Sequence, residues 1–234
     1  MNSSKKERNP SIVGMIVSPV ETLKRIRQRP IFWRAALTLC VVSLVLFGII
    51  HYYQLNDPKF LEIMLQQMPQ EFQTLSKSEQ HMAIESVKRT NLIMGIMMGG
   101  IATFLIPFMG AVFLKLVFIL LKHRKVPFKQ LYSFQVYLYT ISVLAIFVQA
   151  ITTVIANGSL QFSPTSLAGI LPISNGLGKA ILLGFDLFNI WSLILLKHGL
   201  VEVARLPSGK SWLVTVVFFL FIVGMHISNY LITA

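Results

Sequence analysis

The chain has 234 residues, of which 54% are hydrophobic and only 13% charged, and it carries a net charge of +12. That is too apolar for an ordinary soluble domain, and the Lys and Arg sit in short segments beside apolar runs, a topology signal that argues against nucleic acid as a partner. The one cysteine, Cys40, lies inside the first apolar run, so an intrachain disulfide or a multi-cysteine metal site is excluded, and no cofactor is expected.

Residues 1–30 read as a cytoplasmic N-terminal segment, polar at first and then amphipathic. Ser18 as N-cap, Pro19 at the first helical position and Glu21 three residues after the cap start a helix that Pro30 ends. Val20, Leu23 and Ile26 fall on one face, with Lys24, Arg25, Arg27 and Arg29 around the rest. Such a helix is expected to lie on the anionic leaflet with its apolar side down, either orienting the first span or docking a partner.

Residues 31–234 read as one all-α membrane domain, a five-helix bundle with spans at about 31–53, 92–121, 131–156, 179–196 and 212–234. The first span begins only at Ile31 and no small-residue cleavage pattern follows it, so it is expected to stay as a signal anchor. Arg34 can snorkel at its inner end, and Tyr52 and Tyr53 anchor its outer end. Residues 54–91 predict two helices in a small extracytoplasmic cap that folds back over the bundle. One opens at Asp57-Pro58, carries Phe60, Leu61, Met64, Leu65 and Met68 and stops at Pro69. The other starts at Ser76 with Glu79 completing a capping box and runs through Met82, Ile84 and Val87 into the membrane.

In the second span Pro107 predicts a kink, Lys115 can snorkel, and Gly95 and Gly99 have the GxxxG spacing that lets helix backbones approach closely, within the chain rather than between chains. Lys122 to Gln130 is a tight basic loop, and the third span carries Tyr132, Tyr137 and Tyr139 in its inner half. Residues 157–178 contain no Lys, Arg, Asp or Glu. Their apolar piece Leu167 to Ile173 is too short to cross and is expected to dip into the outer interface. Asn157-Gly158-Ser159 is a formal glycosylation tripeptide of little weight.

Lys and Arg outside the spans number 14 in the odd-numbered segments against 4 in the even-numbered ones, which places the N-terminus in the cytoplasm and the C-terminus outside. This topology brings Asp186, in the fourth span, to the depth of His226 in the fifth and Gln149 in the third, with Asn189 and Asn229 extending the polar belt. A buried carboxylate needs a partner, so Asp186 is expected to face the interior and meet His226 or Gln149. Two readings stay open: groups that hold helices together, or a path for a proton or ion, for which one carboxylate without a chain of others is a poor relay. Ala204 to Ser211, ARLPSGKS, is only a chance likeness to a phosphate-binding loop, since no strand precedes it and Pro207 removes a donor. No HExxH or GxSxG motif is present, so no enzyme is expected.

Three stretches carry a resemblance: SPVETLKRIRQRPIFWRAAL, VPFKQLYSFQVYLYT, and GFDLFNIWSLILLKHGL followed by Ser208 to Trp212. In this order they resemble the Yip (Ypt-interacting protein) domain family of five-span membrane proteins, in its bacterial form, over nearly the whole chain. Many members have a proline midway in the third span, where this chain has Thr140-Ile141-Ser142. The resemblance implies little chemistry. Eukaryotic relatives associate with Rab-type GTPases, while the bacterial branch implies a non-catalytic accessory of an ABC-type exporter and its membrane-fusion subunit, in protection from a toxic peptide. The alternative is a small permease or channel using the Asp186 belt; membrane shaping by the N-terminal helix is a third, and homo-oligomers stay open.

Overall fold

The computed structural model describes residues 9–66, 72, 74–123, 126–158, 163–171 and 176–233, and these form ten helices. Met68 and the stop at Pro69, Arg124 and Lys125 of the basic loop, Ser159 of the glycosylation tripeptide, and Pro172 and Ile173 lie outside them.

Two short helices, α1 (Ile12–Val17) and α2 (Pro19–Gln28), precede α3 (Trp33–Leu55). Then come α4 (Pro58–Gln66), α5 (Lys77–Leu120), α6 (Phe128–Ile155), α7 (Leu167–Ile170), α8 (Leu177–Leu183), α9 (Leu187–Glu202) and α10 (Ser208–Thr233). Four of them, α3, α5, α6 and α10, are long and apolar enough to cross a membrane.

The expected fourth span is not one continuous helix. It breaks at Gly184-Phe185-Asp186 into α8 and α9, and α9 runs on to Glu202. The cause is local. Asp186 has an extended backbone and caps α9 with its own carboxylate, and aspartate favours that half-in position over a helix interior.

Helices α3, α5 and α6 form the centre. Gly95 and Gly99 of α5 receive His51 and Phe47 of α3, and Gly100 lies against Leu44, so the two helices run antiparallel at close range. Gly110 of α5 likewise faces Gln135 of α6. Pro107 is buried inside α5, which continues through it, and α6 runs unbroken past Thr140-Ile141-Ser142. Helix α9 packs on α6 and α10, while α8 meets α10 where Gly184 lies against Val223.

At the far end the second predicted cap helix runs on into the second span as a single helix. Helix α5 starts at Ser76 with the capping box formed: Glu79 N–H donates to Ser76 Oγ at 3.4 Å, and Ser76 N–H donates to Glu79 Oε2 at 2.9 Å. It then runs 44 residues without interruption. That is about 66 Å against a hydrocarbon core of about 30 Å, so its first turns stand clear of the apolar stretch. His81, Met82, Glu85, Ser86 and Arg89 are exposed there. The turn after α6 packs under the end of α3, where Gly158, at φ +91°, leaves no room for a Cβ beside the Tyr53 carbonyl.

A second correction concerns α2. Leu23 and Ile26 do not face a leaflet; with Met15 of α1 they are fully buried in the main core, against α6 and α9. Removing three large side chains from water against protein is worth roughly 1.5–3 kcal/mol each, so the bundle takes the face that a lone helix would give to lipid.

Candidate functional site

The break between α8 and α9 turns Asp186 from a mid-helix charge into the centre of a knot. Its carboxylate is only 6% exposed. Oδ1 accepts from the Phe188 N–H at 2.8 Å and the Asn189 N–H at 3.4 Å, two of the donors that a helix start leaves unpaired. Oδ2 accepts from the Ser163 hydroxyl at 2.8 Å and the Thr165 hydroxyl at 2.5 Å. Both hydroxyls come from the uncharged segment ahead of α7.

The backbone joins in. Leu167 N–H donates to the Phe185 carbonyl at 3.0 Å, and Leu187 N–H donates to the Thr165 carbonyl at 3.1 Å, an isolated antiparallel bridge between Ser166 and Asp186. Ser166 is fully buried; its hydroxyl donates to the Ser163 carbonyl and accepts from Gly169 N–H, capping α7. Irregular backbone at membrane depth must be satisfied by protein, and here the segment at 163–171 supplies the partners that the broken helix lacks. The Gly184–Val223 contact sets the depth. Val223 lies 11 residues beyond Trp212 at the start of α10's apolar stretch, about 16 Å along the axis and near the middle of a bilayer.

The residues of the expected polar belt are placed as follows. Asn189 gives its backbone N–H to Asp186, and its side chain is half-buried. His226, half-buried on α10 one turn past Val223, is near enough to feel the Asp186 charge. Its ring makes no hydrogen bond with that carboxylate among the described residues. Gln149 sits half-buried on α6, about four turns from Phe134, where α6 meets α9 at Gly199. Asn229 is exposed, three residues beyond His226. The structure therefore gives the carboxylate to Ser163 and Thr165, which sequence reasoning passed over. The usable signal was a Ser/Thr-rich, charge-free stretch near an acid that needed donors.

A second cluster ties the N-terminal helices down at the opposite end. The Tyr137 hydroxyl on α6 lies 3.0 Å from the carbonyls of both Pro10 and Ile31 and shares its proton between them. Gln130 donates to the Arg27 carbonyl at 3.0 Å, and the Arg27 guanidinium donates to the Glu202 carbonyl at 3.1 Å, a cation at the C-terminal end of α9. His123 Nε2 meets the Ala204 carbonyl at 2.9 Å and Lys115 donates to the Val126 carbonyl at 2.8 Å, so both neighbouring loops are latched. ARLPSGKS forms such a loop running into α10, with Ser211 Oγ donating to the Leu206 and Pro207 carbonyls.

Beside this geometry stand the likenesses to known proteins. The Yip1 domain family model matches residues 13–228. Membrane protein YknW of Bacillus subtilis (strain 168) is 28% identical over 219 residues, which is 93% of this chain and 89% of that protein. No solved structure matches.

Proposed function

The chain belongs to the Yip1 domain family, and from that premise we propose that it is a non-catalytic, multi-pass membrane protein that works by binding and assembling other membrane proteins. The partners proposed are the subunits of an ABC-type exporter and its membrane-fusion protein, in a system protecting the cell from a toxic peptide. In this reading α8 and α9 together make a fifth crossing, the basic end is cytoplasmic by its Lys and Arg excess, and the C-terminus is extracytoplasmic. The projecting start of α5, with residues 54–91, and the basic segments at the other end are the contact surfaces.

The observation that carries this reading is the saturation of Asp186. Four donors from its own chain hold its two oxygens, and a carboxylate so engaged serves as a clasp. A relay needs an acid free to take up and release a proton. A second reading, a small permease, draws on the helix broken near mid-membrane with His226 nearby, since discontinuous helices build substrate sites in transporters.

The test is cross-linking in intact cells followed by mild-detergent purification. Recovery of exporter and membrane-fusion subunits, lost when exposed residues such as Met82 and Arg89 are replaced together, supports assembly. Purification of this chain free of those subunits, with proteoliposomes that carry solute, would establish the permease instead.

A further inference from the structure

The α1–α2 pair has two sides, and the core uses only one. Met15, Leu23 and Ile26 are buried against α6 and α9, yet Val13 and Val17, four residues apart on α1, are 68% and 74% exposed. Val20 continues the exposed side onto α2, and Lys24, one turn further, is exposed as well.

Depth says what this face meets. The Tyr137 hydroxyl lies 3.0 Å from both the Pro10 and Ile31 carbonyls. Pro10 directly precedes Ser11, the N-cap of α1, so α1 begins at the level where the chain turns into α3. Two residues after Ile31, α3 starts with Trp33, 63% exposed, and its outer face continues through Leu37, Val41 and Val45. That is an apolar surface of a helix long enough to cross. The other end of α2 is held by Gln130, seven residues before Tyr137 on α6, about 10 Å nearer the end of the bundle. The pair is therefore inclined, with the valine end at the depth of the apolar surface and the cationic end outside it.

We propose that α1 and the start of α2 are embedded in the anionic leaflet at this end of the bundle. Val13, Val17 and Val20 sit at the acyl boundary beside Trp33, and Lys24 and Arg34 meet lipid phosphates. Apolar side chains at the acyl boundary with cations at the phosphate level are the combination by which interfacial helices hold an anionic leaflet. The face continues the lipid-facing surface of α3, which favours lipid over a second protein as its occupant.

The test is spin labelling of full-length protein in bilayers of phosphatidylcholine alone or with phosphatidylglycerol. In a Cys40→Ser background, Val13→Cys, Val17→Cys, Lys24→Cys and, as a lipid-facing reference, Leu37→Cys are labelled singly. The expected result is that positions 13 and 17 collide with oxygen in preference to a water-soluble nickel chelate, as position 37 does. Position 24 should show the reverse, and the preference at 13 and 17 should grow when phosphatidylglycerol is present. Nickel access at 13 and 17 equal to that at 24, shielding from both reagents as under a protein partner, or no response to phosphatidylglycerol would each overturn the proposal.

Discussion

The ring of Phe134 fills the space that a side chain on Gly199 would need, so α6 and α9 touch at backbone distance near the basic end. Phe134 is buried, as are Leu195, Leu196 and Leu200 around it. The same contact brings Glu202 to Arg27 and the Arg27 carbonyl to Gln130. One glycine thus sets the seat on which the N-terminal helices rest.

Gly199→Ala tests this seat. Alanine gains about 0.8–1 kcal/mol of helix propensity, but forcing its methyl into a filled site costs typically 1–3 kcal/mol, so a net loss of about 1 kcal/mol is expected. Gly224→Ala is the control, because nothing lies within 4 Å of a Cβ there. Thermal unfolding in detergent should lower the midpoint for the first variant and leave it unchanged or raised for the second. Equal midpoints would place the α6–α9 contact elsewhere.

The Tyr137 hydroxyl provides a second test. Tyr137→Phe keeps the ring and removes the one donor shared by the Pro10 and Ile31 carbonyls. Leaving such carbonyls without their partner costs about 1–2 kcal/mol, enough for roughly tenfold more frequent opening of the N-terminal pair. Trypsin should then cut after Arg25 and Arg27 several-fold faster than in the parent protein. Unchanged cleavage would mean that burial of Met15, Leu23 and Ile26 alone holds the pair.

At the projecting end, Ser76→Ala removes the hydroxyl that accepts from Glu79 N–H and donates to Glu79 Oε2. An N-cap of this kind is worth about 0.5–2 kcal/mol, so the first turn of α5 should fray. Hydrogen exchange should speed up at 78–82 and stay unchanged from Leu92 onward. Acceleration along the whole helix would show that the projection and the crossing are one cooperative unit.

Much of the fold was legible because the bilayer leaves few options. Long apolar runs become helices, and α3, α5, α6 and α10 lie where the runs lie. The Ser76–Glu79 box was readable from two residues and their spacing. What composition concealed was tertiary. Leu23 and Ile26 look like a lipid-facing stripe until Met15, a helix earlier, and the inner half of α6 are seen to cover them. Asp186 was readable as a residue in need of partners, but its role as a helix cap depended on a break that hydropathy does not register. Ser163 and Thr165 lie more than twenty residues earlier, in a loop whose approach no periodicity encodes.

The most direct test of the central claim, that Asp186 is a structural clasp in a protein that assembles others, is Asp186→Asn. Asparagine caps helices as well as aspartate does, and its amide can answer Ser163 and Thr165 with reversed polarity, so the fold should lose only about 1 kcal/mol. The measurement is the recovery of cross-linked partner subunits with this variant, alongside its thermal midpoint and, under the proposed exporter role, the cell's resistance to a toxic peptide. The account predicts that partners and resistance are retained, whereas Asp186→Ala, which removes both cap and acceptors, lowers the midpoint and reduces recovery. An Asp186→Asn protein of undiminished stability that keeps its partners but loses all resistance would contradict the clasp and give the carboxylate to transport.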